Sequence, residues 1–267
     1  MKRRQFVKAS LITSSVAGVM NPLNQAAAAS ETQQNQNPEF YELRIYTLKN
    51  GNQLKTVQNY FQQAAIPAYN RLGSKTIGVF TEYLPQGFTK LVVVIPFTSL
   101  DAYIKVSDQL ASDSTYQQAG AEYLTAEATQ PAYERIESSL LKAFTNMPRL
   151  ELPEKKPRIF ELRRYESPSE TTGKKKIEMF NQAGEIAIFK RVGLTPVFFG
   201  ETLIGPMRPN LTYLLTFDNM EEHDQNWKKF GSDPDWKKIS SMPEYANDKI
   251  ISTITRTFLV PAAFSQI

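Results

Sequence analysis

The sequence predicts an α+β fold: two tandem ferredoxin-like βαββαβ units that close on one another as an intrachain pseudo-twofold α+β barrel. Three observations lead there. Segments recur in one order at a spacing of 119 or 120 residues, the mark of an internal repeat. Each copy reads strand, helix, strand, strand, helices, strand from its apolar periodicity. A four-stranded sheet with helices on one face leaves its other face bare, and two such units in one chain can cover each other.

The repeat is carried by several segments. Tyr41-Glu42-Leu43-Arg44-Ile45-Tyr46 corresponds to Phe160-Glu161-Leu162-Arg163-Arg164-Tyr165. Ile66 to Gly73, with Arg71, corresponds to Ile186 to Gly193, with Arg191. Thr81-Glu82-Tyr83-Leu84 corresponds to Gly200-Glu201-Thr202-Leu203, and Ser112 to Tyr116 corresponds to Ser232 to Trp236.

The elements follow in order. The opening strands, Phe40–Tyr46 and Ile159–Tyr165, alternate: Tyr41, Leu43 and Ile45 share one face, and Glu42, Arg44 and Tyr46 the other. Leu54, Val57, Phe61, Ala65, Ala68 and Leu72 recur at helical spacing, and Pro67 should kink or break that helix. Gly73 supplies its stop. Thr76–Leu84 and Lys90–Pro96 read as strands around the turn Pro85-Gln86-Gly87. In the second copy that turn is Gly205-Pro206 to Pro209-Asn210. Asp101 and Glu221 lie near helix starts, where acids suit the dipole. Asp233-Pro234 has the form of an N-cap followed by a first-turn proline. The closing strands are expected at Ala132–Leu141 and Lys249–Leu259.

The chain starts with Lys2-Arg3-Arg4-Gln5-Phe6-Val7-Lys8, which resembles the twin-arginine export motif. A modestly apolar stretch, Ala9 to Leu23, and the small-residue run Ala26 to Ala29 follow in signal-peptide order. The apolar stretch is too short and interrupted for a membrane span, which needs about 20 residues. The expected division is a leader at 1–29, a flexible polar segment at 30–38, a first domain at 39–145, a Pro-rich charged linker at 146–157 and a second domain at 158–262. Export to the periplasm or beyond is the expectation.

Charge and composition exclude several functions. The formal net charge is +4, but the leader holds four basic residues and no acid. Without it, 27 basic residues face 27 acidic ones, so no overall basic footprint points to nucleic acid. There is no cysteine, which removes disulfides, thiolate nucleophiles and Cys-based zinc sites. Neither a glycine-rich phosphate loop nor a calcium-loop spacing occurs, so no metal or cofactor is expected from motifs. Lys174, Lys175 and Lys176 read as the solvated start of a helix. His223, the only histidine, lies in Glu221-Glu222-His223-Asp224 and reads as a solvated surface residue. Trp227, Trp236, Tyr116, Phe198 and Phe199 read as core.

The order of these motifs resembles the NIPSNAP family. The second copy carries it most clearly, in Glu161-Leu162-Arg163-Arg164-Tyr165, Phe199-Gly200-Glu201, Trp227 to Phe230 and Asp233-Pro234-Asp235-Trp236. The first copy is more diverged and lacks both tryptophans. The resemblance implies a dimeric α+β-barrel fold, a superfamily that also holds haem proteins and cofactor-independent monooxygenases. It implies no defined chemistry.

The candidate ligand-binding residues are Glu42, Arg44, Tyr46, Glu161, Arg163 and Tyr165. If helices cover the apolar face, these triads point between the two sheets, where Arg and Tyr could hold an acidic or carbonyl group. The other reading is that Glu and Arg only neutralise each other in the interface. Three functions therefore stay open: a binding protein holding a small or hydrophobic ligand between its sheets, a cofactor-independent or haem-using oxidoreductase, and a pure interaction module. A cavity between the sheets would favour the first two and a filled interface the third. Further self-association of the chain is also left open.

Overall fold

The computed structural model describes residues 37–85, 87 and 89–267. The expected leader, including Arg3 and Arg4, and most of the 30–38 segment lie outside them. The first unit runs β1 (Phe40–Leu48), α1 (Gly51–Tyr60), a π-helical turn (Phe61–Ala65), α2 (Ile66–Arg71), β2 (Gly78–Glu82), β3 (Thr89–Phe97), α3 (Leu100–Ala111), α4 (Ser114–Ala119), α5 (Ala121–Leu124) and β4 (Arg135–Ala143). The second runs β5 (Ile159–Glu166), α6 (Glu170–Asn181), α7 (Glu185–Val192), β6 (Thr195–Ile204), β7 (Asn210–Phe217), α8 (Met220–Ser232), α9 (Pro234–Ser240), a 3-10 turn (Pro243–Tyr245), α10 (Asn247–Ile250) and β8 (Thr253–Pro261).

The eight strands close in the order β1-β3-β2-β8-β5-β7-β6-β4, all neighbours antiparallel. Two four-stranded sheets, β4-β1-β3-β2 and β8-β5-β7-β6, are thus joined by equivalent seams, and the pseudo-twofold barrel is as expected. The seams are short. β2 meets β8 through Phe80–Glu82 and Leu259–Pro261. β4 meets β6 through Leu140–Ala143 and Gly200–Ile204, with a bulge. The C-terminal tail reinforces the first seam: the Gln266 amide donates to the Ile77 carbonyl at 2.9 Å, and the Ile77 and Val79 amides donate to the Gln266 and Ser265 side chains.

Local rules account for the helices. Ser99, Asn219 and Asp233 cap α3, α8 and α9 through their side chains. The helix expected to break at Pro67 does so through the π turn before it: the Ile66 amide bonds to the Phe61 carbonyl, which accommodates the missing proline N–H one residue on. Both closing strands begin later than the alternation suggests, at Arg135 and Thr253, because Asn247–Ile250 forms a helical turn and the chain around Pro131 is irregular.

Among the described residues, three apolar clusters form the core. Two lie between a sheet and its helices, around Phe61 and Tyr69 in the first unit and Phe180 and Phe189 in the second. The third fills the barrel: Tyr41, Leu43, Phe80, Val92, Val94, Leu141, Phe160, Leu162, Phe198, Leu214 and Leu259. The Tyr41 and Phe198 rings lie 5.0 Å apart and those of Phe80 and Phe160 4.9 Å apart. Truncating such a residue leaves a hole worth about 3–5 kcal/mol for a phenylalanine.

This reverses the expected orientation of the triads. Tyr41 and Leu43 face the barrel interior, whereas Glu42, Arg44 and Tyr46, like Glu161, Arg163 and Tyr165, face the helices. The physical reason is dryness. A barrel closed on all sides offers few partners for polar groups, whereas the helix side brings its own donors and stays open at its margins. The space between the two sheets is lined by these apolar side chains and not by the triads.

Candidate functional site: the helix-covered face of β5

Glu161 is the centre of the second unit's polar cluster. It sits mid-strand on β5 and is fully enclosed. A buried carboxylate needs compensating donors, and three groups meet it. Arg163 Nε donates to Oε1 at 2.6 Å, Trp227 Nε1 donates to Oε2 at 3.0 Å, and His223 Nε2 lies 3.2 Å from Oε2. Helical spacing supplies two of them, since His223 and Trp227 are four residues apart on one face of α8.

His223 is buried, not solvated as expected. Its ring packs edge-on against Phe217 and Phe258, with centroids 4.9 and 5.1 Å away. Its other nitrogen, Nδ1, lies 2.7 Å from Asp224 Oδ1. Both ring nitrogens thus face carboxylate oxygens.

Arg163 lies over Trp227, its guanidinium carbon 3.7 Å from the ring centroid. Its Nη1 is 3.4 Å from the Tyr165 hydroxyl, a marginal contact, and that hydroxyl accepts from Tyr213 at 2.9 Å. Burial pushes the Tyr213 hydroxyl far above the usual phenol range. Beyond Tyr165 lies Lys176. It is not the solvated lysine expected from the 174–176 run, because the turn of α6 aims it inward at Glu185.

The first unit has the same strand triad with different partners. Arg44 forks onto Glu42 at 2.7 and 2.8 Å, Ser138 donates to Glu42 at 2.7 Å, and Arg44 Nη2 donates to the Tyr69 hydroxyl at 2.9 Å. Burial raises that phenol to about 12, with Arg44 pulling it back down. Tyr46 contacts the Tyr123 hydroxyl at 3.2 Å. By the repeat spacing, Tyr103 and Ser107 stand where the second unit has His223 and Trp227. The structure thus gathers each triad with helix residues and keeps the two triads on opposite sheets. Tyr213, Lys176, Glu185 and Tyr69 escaped the sequence reading. The one available signal was the His223–Trp227 spacing.

Two alternatives fit less well. An open groove of about 1240 Å³ beside α1 is lined by Lys49, Asn50, Asn52, Gln53, Lys55 and Glu134 among others. Its best-placed amides are already used: Asn50 caps α1, and Gln53 bonds Pro131 and Glu134. A histidine-ligated haem does not fit the His223 site, because both ring nitrogens are held by carboxylates. Among the described residues no three His, Cys, Asp or Glu side chains converge as metal ligands, and no helix is long and apolar enough to cross a membrane.

The chain's shape is shared by known structures. A candidate monooxygenase of Fusobacterium nucleatum matches with a TM-score of 0.54 at 10% identity, over 84% of this chain and 93% of that one. A candidate monooxygenase of Lactobacillus acidophilus NCFM matches with a TM-score of 0.55 at 10% identity, over 84% and 94%. At such identities the likeness extends to the fold alone. No curated protein matches the chain. The NIPSNAP sequence family matches twice, over residues 41–146 and 160–266, one match per barrel half, and the chain belongs to that family.

Proposed function

We propose that this is an exported NIPSNAP-family binding protein whose second unit holds a small ligand on its helix-covered face, between α8 and β8. The observation that carries the reading is Arg163, its guanidinium carbon 3.7 Å over the Trp227 ring and its Nε fixed by a fully enclosed carboxylate. Orientation by a rigid acid and an aromatic plane is how binding sites preorganise a guanidinium. The first unit lacks the tryptophan and has Arg44 tied down at both ends, by Glu42 and Tyr69, so it serves as the structural half. Export rests on the order of Arg3-Arg4, apolar stretch and Ala26–Ala29.

The alternative, cofactor-independent oxidation, draws on the monooxygenase-like neighbours, whose likeness carries no activity of its own. The filled barrel suits a pure interaction module instead. Native mass spectrometry of the protein isolated from the periplasm of its source, with an absorption spectrum, separates these. A mass equal to the processed chain plus a small molecule is expected. A bare processed chain that no compound shifts in thermal melts favours the interaction module and ends the binding reading.

A further inference from the structure

We propose that Arg256, together with Arg163, recognises the carboxylate of a small organic acid at this face; the proposal rests on the binding reading above. Arg163 and Arg256 are direct partners across the β5–β8 ladder, so their side chains leave the same face. The Tyr83 amide donates to the Phe258 carbonyl at 2.8 Å, on the side of β8 away from β5. By the alternation of antiparallel ladders, Arg256 then points its backbone the same way, and Arg163–Arg256 is a non-hydrogen-bonded pair, the kind whose side chains lie closest.

Two like charges placed so destabilise a sheet unless something lies between them. Arg163 is partly offset by Glu161, but that carboxylate is shared with Trp227 and His223. Arg256 is exposed and makes no hydrogen bond or ion pair with any described residue. Arg163 also keeps a free hand. Its Nε meets Glu161 and its Nη1 Tyr165, leaving Nη2 without a partner. Arg163 is largely enclosed, with its side chain 10% exposed.

An exposed guanidinium beside a largely buried one that keeps a nitrogen unpaired suits a carboxylate, which accepts from both at once. The surroundings suit an apolar body on that acid. Ile254, two residues along the same face of β8, is 47% exposed, and Phe258 on the other side is half-buried. In the first unit the residue opposite Arg44 is Ser138, which is spent on Glu42, so the paired arginines belong to the second unit alone.

The test uses the processed chain with Trp236→Phe, which leaves Trp227 as the sole tryptophan reporter. Phenylacetate and octanoate are titrated against phenylacetamide and octanamide by Trp227 fluorescence. The carboxylates should bind about tenfold or more tightly than their amides, the ratio a charge-assisted hydrogen bond supplies. Arg256→Gln should abolish that preference, and Arg256→Lys should keep part of it. If Trp227 responds equally to acids and amides, or Arg256→Gln leaves the preference intact, the carboxylate proposal fails and the binding face stands. If Trp227 responds to neither series, both fail.

Discussion

Lys176 Nζ lies 2.9 Å from Glu185 Oε2, with both side chains 2% exposed, and the ammonium is surrounded by the rings of Phe180, Tyr165 and Trp236 at 4.7, 5.5 and 5.6 Å. The pair links α6 to α7 inside the second unit's core. Breaking a buried pair strands the other charge and costs about 3–5 kcal/mol, whereas replacing both members by apolar groups is often neutral. Lys176→Met should therefore lower the midpoint of urea unfolding sharply. Lys176→Met with Glu185→Leu should recover most of the loss. A single variant as stable as the double would show that the two charges do not depend on each other.

The same pair makes a prediction about pH. Burial raises the Glu185 carboxyl above its ordinary range, and Lys176 pulls it back. A carboxyl raised in the folded state contributes stability that is full below its unfolded value, about 4.3, and is lost as pH rises through the folded value. Without Lys176 the pull-back is gone and the folded value rises further. The stability gap between the parent and Lys176→Met should thus be smaller at pH 5 than at pH 8. Urea melts at the two pH values measure it, and an equal gap would mean that Glu185 stays ionised without its partner.

The repeat and the barrel were legible because the offsets stay at 119 or 120 and each copy has one polar and one apolar strand face. Which face meets the helices was not. Alternation in Tyr41 to Tyr46 separates two faces without saying what covers either one. β3 shows the difficulty: Leu91–Phe97 is buried on both sides, against helices and barrel alike. The site was hidden for a related reason. Two of the three groups that meet Glu161 come from 62 and 66 residues away, and nothing local to Glu221-Glu222-His223-Asp224 signals that the histidine turns inward. Likewise, one of three consecutive lysines must face inward on a helix as tightly packed as α6, and only Glu185, nine residues on, identifies it as Lys176.

The proposed leader carries its own test. Twin-arginine transport reads the arginine pair itself, so Arg3→Lys with Arg4→Lys should leave the full-length precursor in the cytoplasm. Fractionation followed by immunoblotting checks this. Periplasmic, processed protein from the double variant would overturn the twin-arginine assignment.

The two triads give the last prediction, because they share a pattern and differ in enclosure. Glu161 is wholly buried and depends on Arg163, Trp227 and His223. Arg163→Ala leaves that carboxylate short of its closest donor, which should cost about 3–5 kcal/mol and, in a chain of this size, lower the melting temperature by roughly 10 °C. Glu161→Gln with Arg163→Met should restore most of it while losing ligand retention, since the guanidinium over Trp227 is gone. In the first unit the Arg44 and Glu42 side chains are 18% and 8% exposed, and Glu42 keeps the Ser138 hydroxyl when Arg44 is removed. Arg44→Ala should therefore destabilise distinctly less than Arg163→Ala and leave ligand retention unchanged. Thermal melts of the three variants, paired with native mass spectra, decide the matter: equal losses from Arg44→Ala and Arg163→Ala would mean that the two triads are the same structural device, with no binding role reserved to the second.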